Sequence, residues 1–186
     1  MTAIRTARIM AIKLVDEVLW LPAQLTQVEI ADDIARHYPK ETGGMLLGYT
    51  NGSHRVVTAV IPAGPNAQRG PYHMVPDDRY QQERLLTHFH CTEGRESFLG
   101  EWHSHPETAP TMSRTDRRTL CRVTVNGKHF PALPVMVIVG VCAQERQWEV
   151  KAYRKRNASR LMCIRSGDFV EISVRRFSAQ KKCDQN

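Results

Sequence analysis

Apolar and polar positions along this chain switch between two periods, and each switch marks an element. VLWLP (Val18–Pro22) is a short apolar run that reads as a strand. Thr26-Gln27-Val28-Glu29 has the S/T-x-x-E form of a capping box. It predicts a helix to about His37, with Val28, Ala31, Ile34, Ala35 and Tyr38 at helical spacing and Pro39 as its stop. GMLLGYT then reads as a buried strand, Asn51-Gly52 as a hairpin turn and HRVVTAVI as the return strand. AGPNAQRGP is dense in breakers and reads as a loop, followed by YHMV as a short strand. Asp77 or Asp78 caps a predicted helix running to about Phe89, and CTEGRES is a surface loop. FLGEWHSH is a strand, residues 106–112 a loop, and about 113–123 a helix. PVMVIVGVCA, the most apolar run, is expected to be a central strand with QWEVKAYR as its hairpin partner. RLMCIRSGDFVEISV adds one hairpin turning near Gly167, and SAQKKCDQN is expected to be a disordered tail. Mixed helices and strands with several antiparallel hairpins predict an α+β domain, a mostly antiparallel sheet flanked by helices.

Composition narrows this picture. With 186 residues, 41% hydrophobic and 24% charged, the chain suits one globular domain rather than disorder. It holds no run near the roughly 20 apolar residues of a membrane helix. IMAIKLVDEVLW near the start is broken by Lys13, Asp16 and Glu17 and so is no secretory signal; a cytoplasmic location is expected. Cys91, Cys121, Cys142, Cys163 and Cys183 are odd in number, far apart and never in a C-x-x-C pair, which argues against disulfides and against a cysteine zinc site. Most are expected to be buried, Cys183 exposed. The net charge of +7 concentrates in residues 151–182, where Lys151, Arg154, Lys155, Arg156, Arg160, Arg165, Arg175, Arg176, Lys181 and Lys182 face only Asp168 and Glu171. No RNA-binding signature or zinc finger accompanies that charge, so a nucleic-acid partner is not expected and a solvated basic segment is.

The chemistry concentrates in GEWHSHPETAPTMSRTD, residues 100–116. On a strand, His103 and His105 point to one face and offer two imidazoles side by side, a pairing that suits Zn²⁺. His88 and His90 have the same spacing but fall near a helix end, where i and i+2 do not share a face, so they are assigned to structure. Asp116, in the first turn of the next helix, can supply a third ligand and leave one position open for water, as in catalytic sites. Ser113-Arg114-Thr115-Asp116 equally has the form of a helix capping box that needs no metal. A hydrolase of this kind also needs a base. Glu41, in KETGGMLLG, lies between a helix and a buried strand, and Gly43 and Gly44 permit close approach. Glu101 shares its strand face with the histidines and stays a runner-up for base or ligand. Trp102 and Phe98 are assigned to packing, and the stretches 63–75 and 91–97 are expected to wall the groove.

ETGGMLLG followed by GEWHSHPETAPTMSRTD resembles the JAB1/MPN/Mov34 (JAMM) zinc metallopeptidases: a distant glutamate, then H-[ST]-H, seven residues, serine, two residues, aspartate. The resemblance runs from about Leu21 to Tyr153. With HMVPDDRYQ and FLGEWHSHP it extends to the prokaryotic JAB proteins, including the deconjugating peptidases of bacterial cyclic-oligonucleotide (CBASS) anti-phage operons. It implies a single MPN/JAB-like, cytidine-deaminase-like domain over residues 1–157, with 158–186 as a basic extension. It implies one Zn²⁺ per chain on His103, His105 and Asp116, with Glu41 as proton acceptor and Ser113 donating to the oxyanion. It also implies an isopeptidase whose substrate is a protein conjugated through a ubiquitin-like tail or a nucleotidyltransferase C-terminus, with an activating and conjugating enzyme as operon neighbour. The alternatives are a JAB hydrolase of a ubiquitin-like or sulfur-carrier precursor, and a metal-free scaffold with a basic nucleic-acid-binding arm. A zinc deaminase is disfavoured, because the C-x-x-C part of its signature does not occur.

Overall fold

The computed structural model describes residues 17–126, 133–141, 147–157 and 166–178. Nine strands and three helices run in the order β1 (Val18–Pro22), α1 (Ile30–His37), β2 (Gly43–Asn51), β3 (His54–Pro62), β4 (Gln68–Gly70), β5 (His73–Val75), α2 (Asp78–Cys91), β6 (Ser97–His105), α3 (Arg114–Asn126), β7 (Val135–Val141), β8 (Trp148–Lys155) and β9 (Phe169–Phe177). Seven strands close on themselves in the order β1-β3-β2-β6-β7-β8-β9, while β4 and β5 form a separate two-stranded hairpin. The α+β class holds, but the sheet is a closed barrel rather than an open sheet with helices on its faces. Closure depends on β1, which pairs in parallel with both β3 and β9. Closing the ring leaves its strands no free edge.

The barrel interior is one apolar cluster that includes Leu19, Leu21, Leu46, Leu99, Trp102, Val135, Val137 and Val139, with Leu25, Ile30 and Ile34 joining it from the first helical segment. A second cluster joins Leu120 and Cys121 of α3 to Met136 and Ile138 of β7. Successive residues of β7 thus bury opposite faces, which is why that strand is apolar without alternation. Strand β6 is irregular opposite Leu46 and Leu47, where the pairing passes from Gly100 to Phe98. The skip lets both Leu99 and Trp102 enter the inner cluster. It leaves Glu101 and His103 facing the groove on the outer side.

Local signals held unevenly. Gly52 adopts φ 58°, as the expected hairpin turn between β2 and β3 requires. Asp77 caps α2 by accepting the Tyr80 N–H at 3.2 Å. The expected box at Thr26 does not form, because residues 23 and 24 are already helical and Leu25–Glu29 is a π-helical turn ahead of α1. The Thr26 hydroxyl instead donates back to the Ala23 carbonyl at 3.0 Å. The breaker-rich stretch read as a loop contains β4, paired antiparallel with β5. His88 bonds Glu96 at 2.7 Å, away from the two histidines of β6, His103 and His105. Cys121 is buried as expected and Cys91 is exposed. The remaining cysteines, the first half of the expected C-terminal hairpin, residues 1–16 and 179–186 of the tail lie outside the described residues. Among the described residues, no helix is long and apolar enough to cross a membrane.

Candidate metal centre

The strand β6 and the start of α3 bring three donors together. His103, His105 and Asp116 are 9%, 8% and 9% exposed. The two histidine Nε2 atoms lie 3.1 Å apart. Asp116 Oδ1 is 3.3 Å from His103 Nε2, and Oδ2 is 3.5 Å from His105 Nε2. A metal held tetrahedrally at the usual zinc–nitrogen distance separates neighbouring donors by about 3.3 Å, so these spacings fit a shared ion. The His105 Nδ1 faces the Ala109 carbonyl at 3.3 Å. That contact puts the proton of a neutral ring on Nδ1 and turns the Nε2 lone pair toward His103 and Asp116, the outer bond that metal-ligating histidines usually make.

The local fold explains why Asp116 sits there. Ser113 is the cap of α3: its Oγ accepts the Asp116 N–H at 3.1 Å, and Asp116 Oδ2 accepts the Ser113 N–H at 2.6 Å. Both sequence readings of this stretch therefore hold at once, since the capping box aims the carboxylate at the histidines. Burial alone would raise the Asp116 pKa. Hydrogen bonds from His103 and His105 outweigh it and hold the carboxyl well below the usual range. Burial opposes charge on His105, but its bonds to Asp116 and to the Ala109 carbonyl raise its pKa. The anionic carboxylate and the two imidazoles are the donor set a divalent cation needs.

Glu41 precedes β2, and its Oε1 lies 4.0 Å from His105 Nε2. Burial pushes its carboxyl up to about 7, with His105 pulling down and Asp116 pushing up. Gly43 packs against the metal strand so closely that a Cβ there would lie 2.4 Å from the Trp102 carbonyl oxygen and 2.7 Å from Met74 Cε. Glu101, the runner-up, lines the same groove but is farther along β6. Burial raises it to about 7, opposed by Arg122 of α3 and reinforced by Asp78.

The site opens into a groove of about 540 Å³, with β6 as floor, α3 as one wall and the β4–β5 hairpin as the other. Tyr72 and Val75 stand exposed on the hairpin rim, at 82% and 50%. Of the stretch 63–75 expected as a wall, residues 72–75 line the groove, whereas residues 91–97 do not. Trp102 and Phe98 are buried packing residues. The sequence reading missed Thr42, the residue after Glu41, and Asp33, Arg69 and Ser104, which hydrogen-bond it.

A barrel with a His-x-His strand, a helix-borne aspartate and an upstream glutamate defines a class of metal-dependent hydrolases. The model for prokaryotic homologs of the JAB domain matches residues 24–153, and the chain belongs to that family, an enzyme of the JAMM peptidase type. It is 27% identical to a probable metalloprotease of Sinorhizobium fredii over 71% of this chain and 80% of that one. It is 32% identical to a CD-NTase/cGAS isopeptidase of Vibrio cholerae over 56% of this chain and 64% of that protein. An Escherichia coli protein of the same name is 33% identical over 43% of this chain and 52% of its own length. The chain thus spans just under two thirds, and about half, of those two isopeptidases. A Desulfitobacterium hafniense protein solved in solution shares the fold, with a TM-score of 0.63 at 20% identity over 91% of this chain and 99% of that one.

Proposed function

We propose that the protein is a zinc-dependent isopeptidase that hydrolyses the amide joining the C-terminal tail of a nucleotidyltransferase, or of a ubiquitin-like protein, to a target. The observation that carries this reading is the juxtaposition of three donors at tetrahedral spacing with the Glu41 carboxylate 4.0 Å from His105. The names of the Vibrio cholerae and Escherichia coli relatives support the choice of substrate. An activating and conjugating enzyme encoded nearby is the partner this activity requires, since a deconjugating peptidase acts on what such an enzyme attaches.

His103, His105 and Asp116 would hold the metal. When bound, zinc acidifies a water and polarises the scissile carbonyl. Glu41 accepts a proton from the attacking water, and its elevated pKa suits it to pass that proton on to the leaving lysine nitrogen. Ser113 accepts one hydrogen bond through Oγ from Asp116, which leaves its hydroxyl proton free to donate to the carbonyl oxygen as negative charge develops. The carbon–nitrogen bond breaks, releasing a carboxylate tail and a free amine. The groove beside β6 holds the tail extended, and the β4–β5 hairpin offers backbone groups to it.

The test is cleavage of a nucleotidyltransferase joined through its C-terminal carboxyl to a lysine of a reporter protein. The wild type should release both parts and carry one zinc. Glu41→Gln should keep the zinc and lose activity by about a hundredfold or more. Release by the Glu41 variant at the wild-type rate would reject Glu41 as base. A conjugate left intact by zinc-loaded protein, alongside cleavage of a ubiquitin-like or sulfur-carrier precursor, would move the substrate assignment.

A further inference from the structure

Glu41 lies between two elements that could each drift, the end of α1 and the β4–β5 hairpin. Its backbone N–H donates to the Gly70 carbonyl at the end of β4, at 2.8 Å. The next residue, Thr42, is fully buried and bonded on every polar atom. Its N–H donates to Ser104 Oγ at 3.0 Å, and its carbonyl accepts the Ser104 N–H at 2.8 Å. Ser104 stands between the two histidines, so this reciprocal pair ties the glutamate segment to the metal strand. The Thr42 hydroxyl donates to Asp33 Oδ2 of α1 at 2.6 Å and accepts Arg69 Nε–H at 3.2 Å. The same guanidinium donates from Nη1 to the Ala67 carbonyl at 3.4 Å and from Nη2 to the Gly64 carbonyl at 3.3 Å. Arg69 therefore locates the loop that presents the Gly70 carbonyl and, independently, the hydroxyl of the residue after Glu41.

We propose that Arg69 and Thr42 are positioning residues for Glu41, fixing its backbone from the hairpin side and the α1 side at once. This rests on the reading of Glu41 as the base. The physical reason for such a clamp is that proton transfer tolerates little misplacement, and a shift of about 1 Å can cost on the order of a hundredfold in rate. The glutamate lies in the short connection between α1 and β2, and regular secondary structure does not hold it. Arg69 supplies three donors in one rigid fork, which a lysine cannot reproduce. Thr42 is a hydroxyl between a cation and an anion, so it is polarised in one direction.

The test uses the full chain with Arg69→Met, Thr42→Val and Thr42→Ser, the last keeping the hydroxyl. Amide hydrogen exchange reads the clamp without reference to catalysis. Exchange at the Glu41 N–H should accelerate about tenfold or more in Arg69→Met and Thr42→Val, while β7 amides stay protected and Thr42→Ser stays near wild type. On the nucleotidyltransferase–reporter conjugate, kcat should fall about tenfold or more in the first two variants with KM unchanged, zinc content should remain one per chain, and Thr42→Ser should restore the rate. Wild-type exchange at Glu41 in both variants overturns the proposal, as does faster exchange with unchanged kcat. A rise in KM alone would make the hairpin a substrate contact only. Loss of zinc in both would assign the network to the metal strand instead. Full activity in Glu41→Gln rejects the base, a failure separate from these, and the exchange arm then still decides whether Arg69 and Thr42 fix residue 41.

Discussion

Ser113 has two tasks that experiment can separate. As the cap of α3 it accepts the Asp116 N–H, and its proposed second task is to donate to the developing oxyanion. Ser113→Ala should lower stability by about 1 kcal/mol in denaturant melts, the usual cost of a lost cap. It should lower kcat by about a hundredfold, as one oxyanion donor typically does. A variant that loses stability alone would leave the serine a cap only. Glu101 offers a prediction of opposite sign. Burial raises it from 4.5 to about 7, so the unfolded chain ionises first. Its stabilising contribution is present below about 4.5 and is lost as pH rises through about 7. Glu101→Gln should therefore be the more stable protein at pH 8, by up to about 3 kcal/mol, with the gap closing below pH 4.5. Denaturant melts at the two pH values check it. At this scale most of the site was readable from spacing, because His103, His105, Ser113 and Asp116 fall within one short motif. Thr42 and Arg69 were not, because their partners Asp33, Ser104, Gly64 and Ala67 meet only in the fold.

Between elements, a metal held by His103, His105 and Asp116 would tie β6 to the first turn of α3. An ion bound to the native state alone stabilises by about 4 kcal/mol at a thousandfold excess over its dissociation constant. A chelator should thus lower the melting temperature of the wild type and leave that of His105→Ala unchanged, since that variant should purify without zinc. Equal chelator sensitivity in both would place the bound metal elsewhere. The helix and strand assignments that held were those with a local cause: Gly52 in a hairpin turn, Asp77 at the start of α2, an unbroken apolar run in β7. Thr26-x-x-Glu29 had the right letters for a cap. The helical run begins before it, so the hydroxyl finds a preceding carbonyl instead. YHMV was legible as the strand that became β5, but its partner β4 was hidden in a breaker-rich stretch and is three residues long, too short for a period-two pattern to register.

At the scale of the molecule, the barrel depends on its last described strand. β9 pairs with β8 on one side and β1 on the other, and brings Phe169 and Ile172 into the core. A chain ending at Asn157 lacks that strand and exposes two sheet edges. It should lose cooperative melting, checked by calorimetry, and any loss of ligand binding in it would report unfolding rather than a missing basic arm. Closure was invisible in the sequence because no local pattern announces which two strands of a ring will meet. In the β1–β9 ladder Val18 pairs with Ser173 and Pro22 with Phe177, partners about 155 residues apart. Such distant contacts carry the largest loop-closure entropy in the fold. During synthesis β1 leaves the ribosome first, yet it cannot pair with β9 until that strand has emerged as well. The ring can therefore close only once its most distant pair of partners has been made, whatever the order in which the other strands assemble.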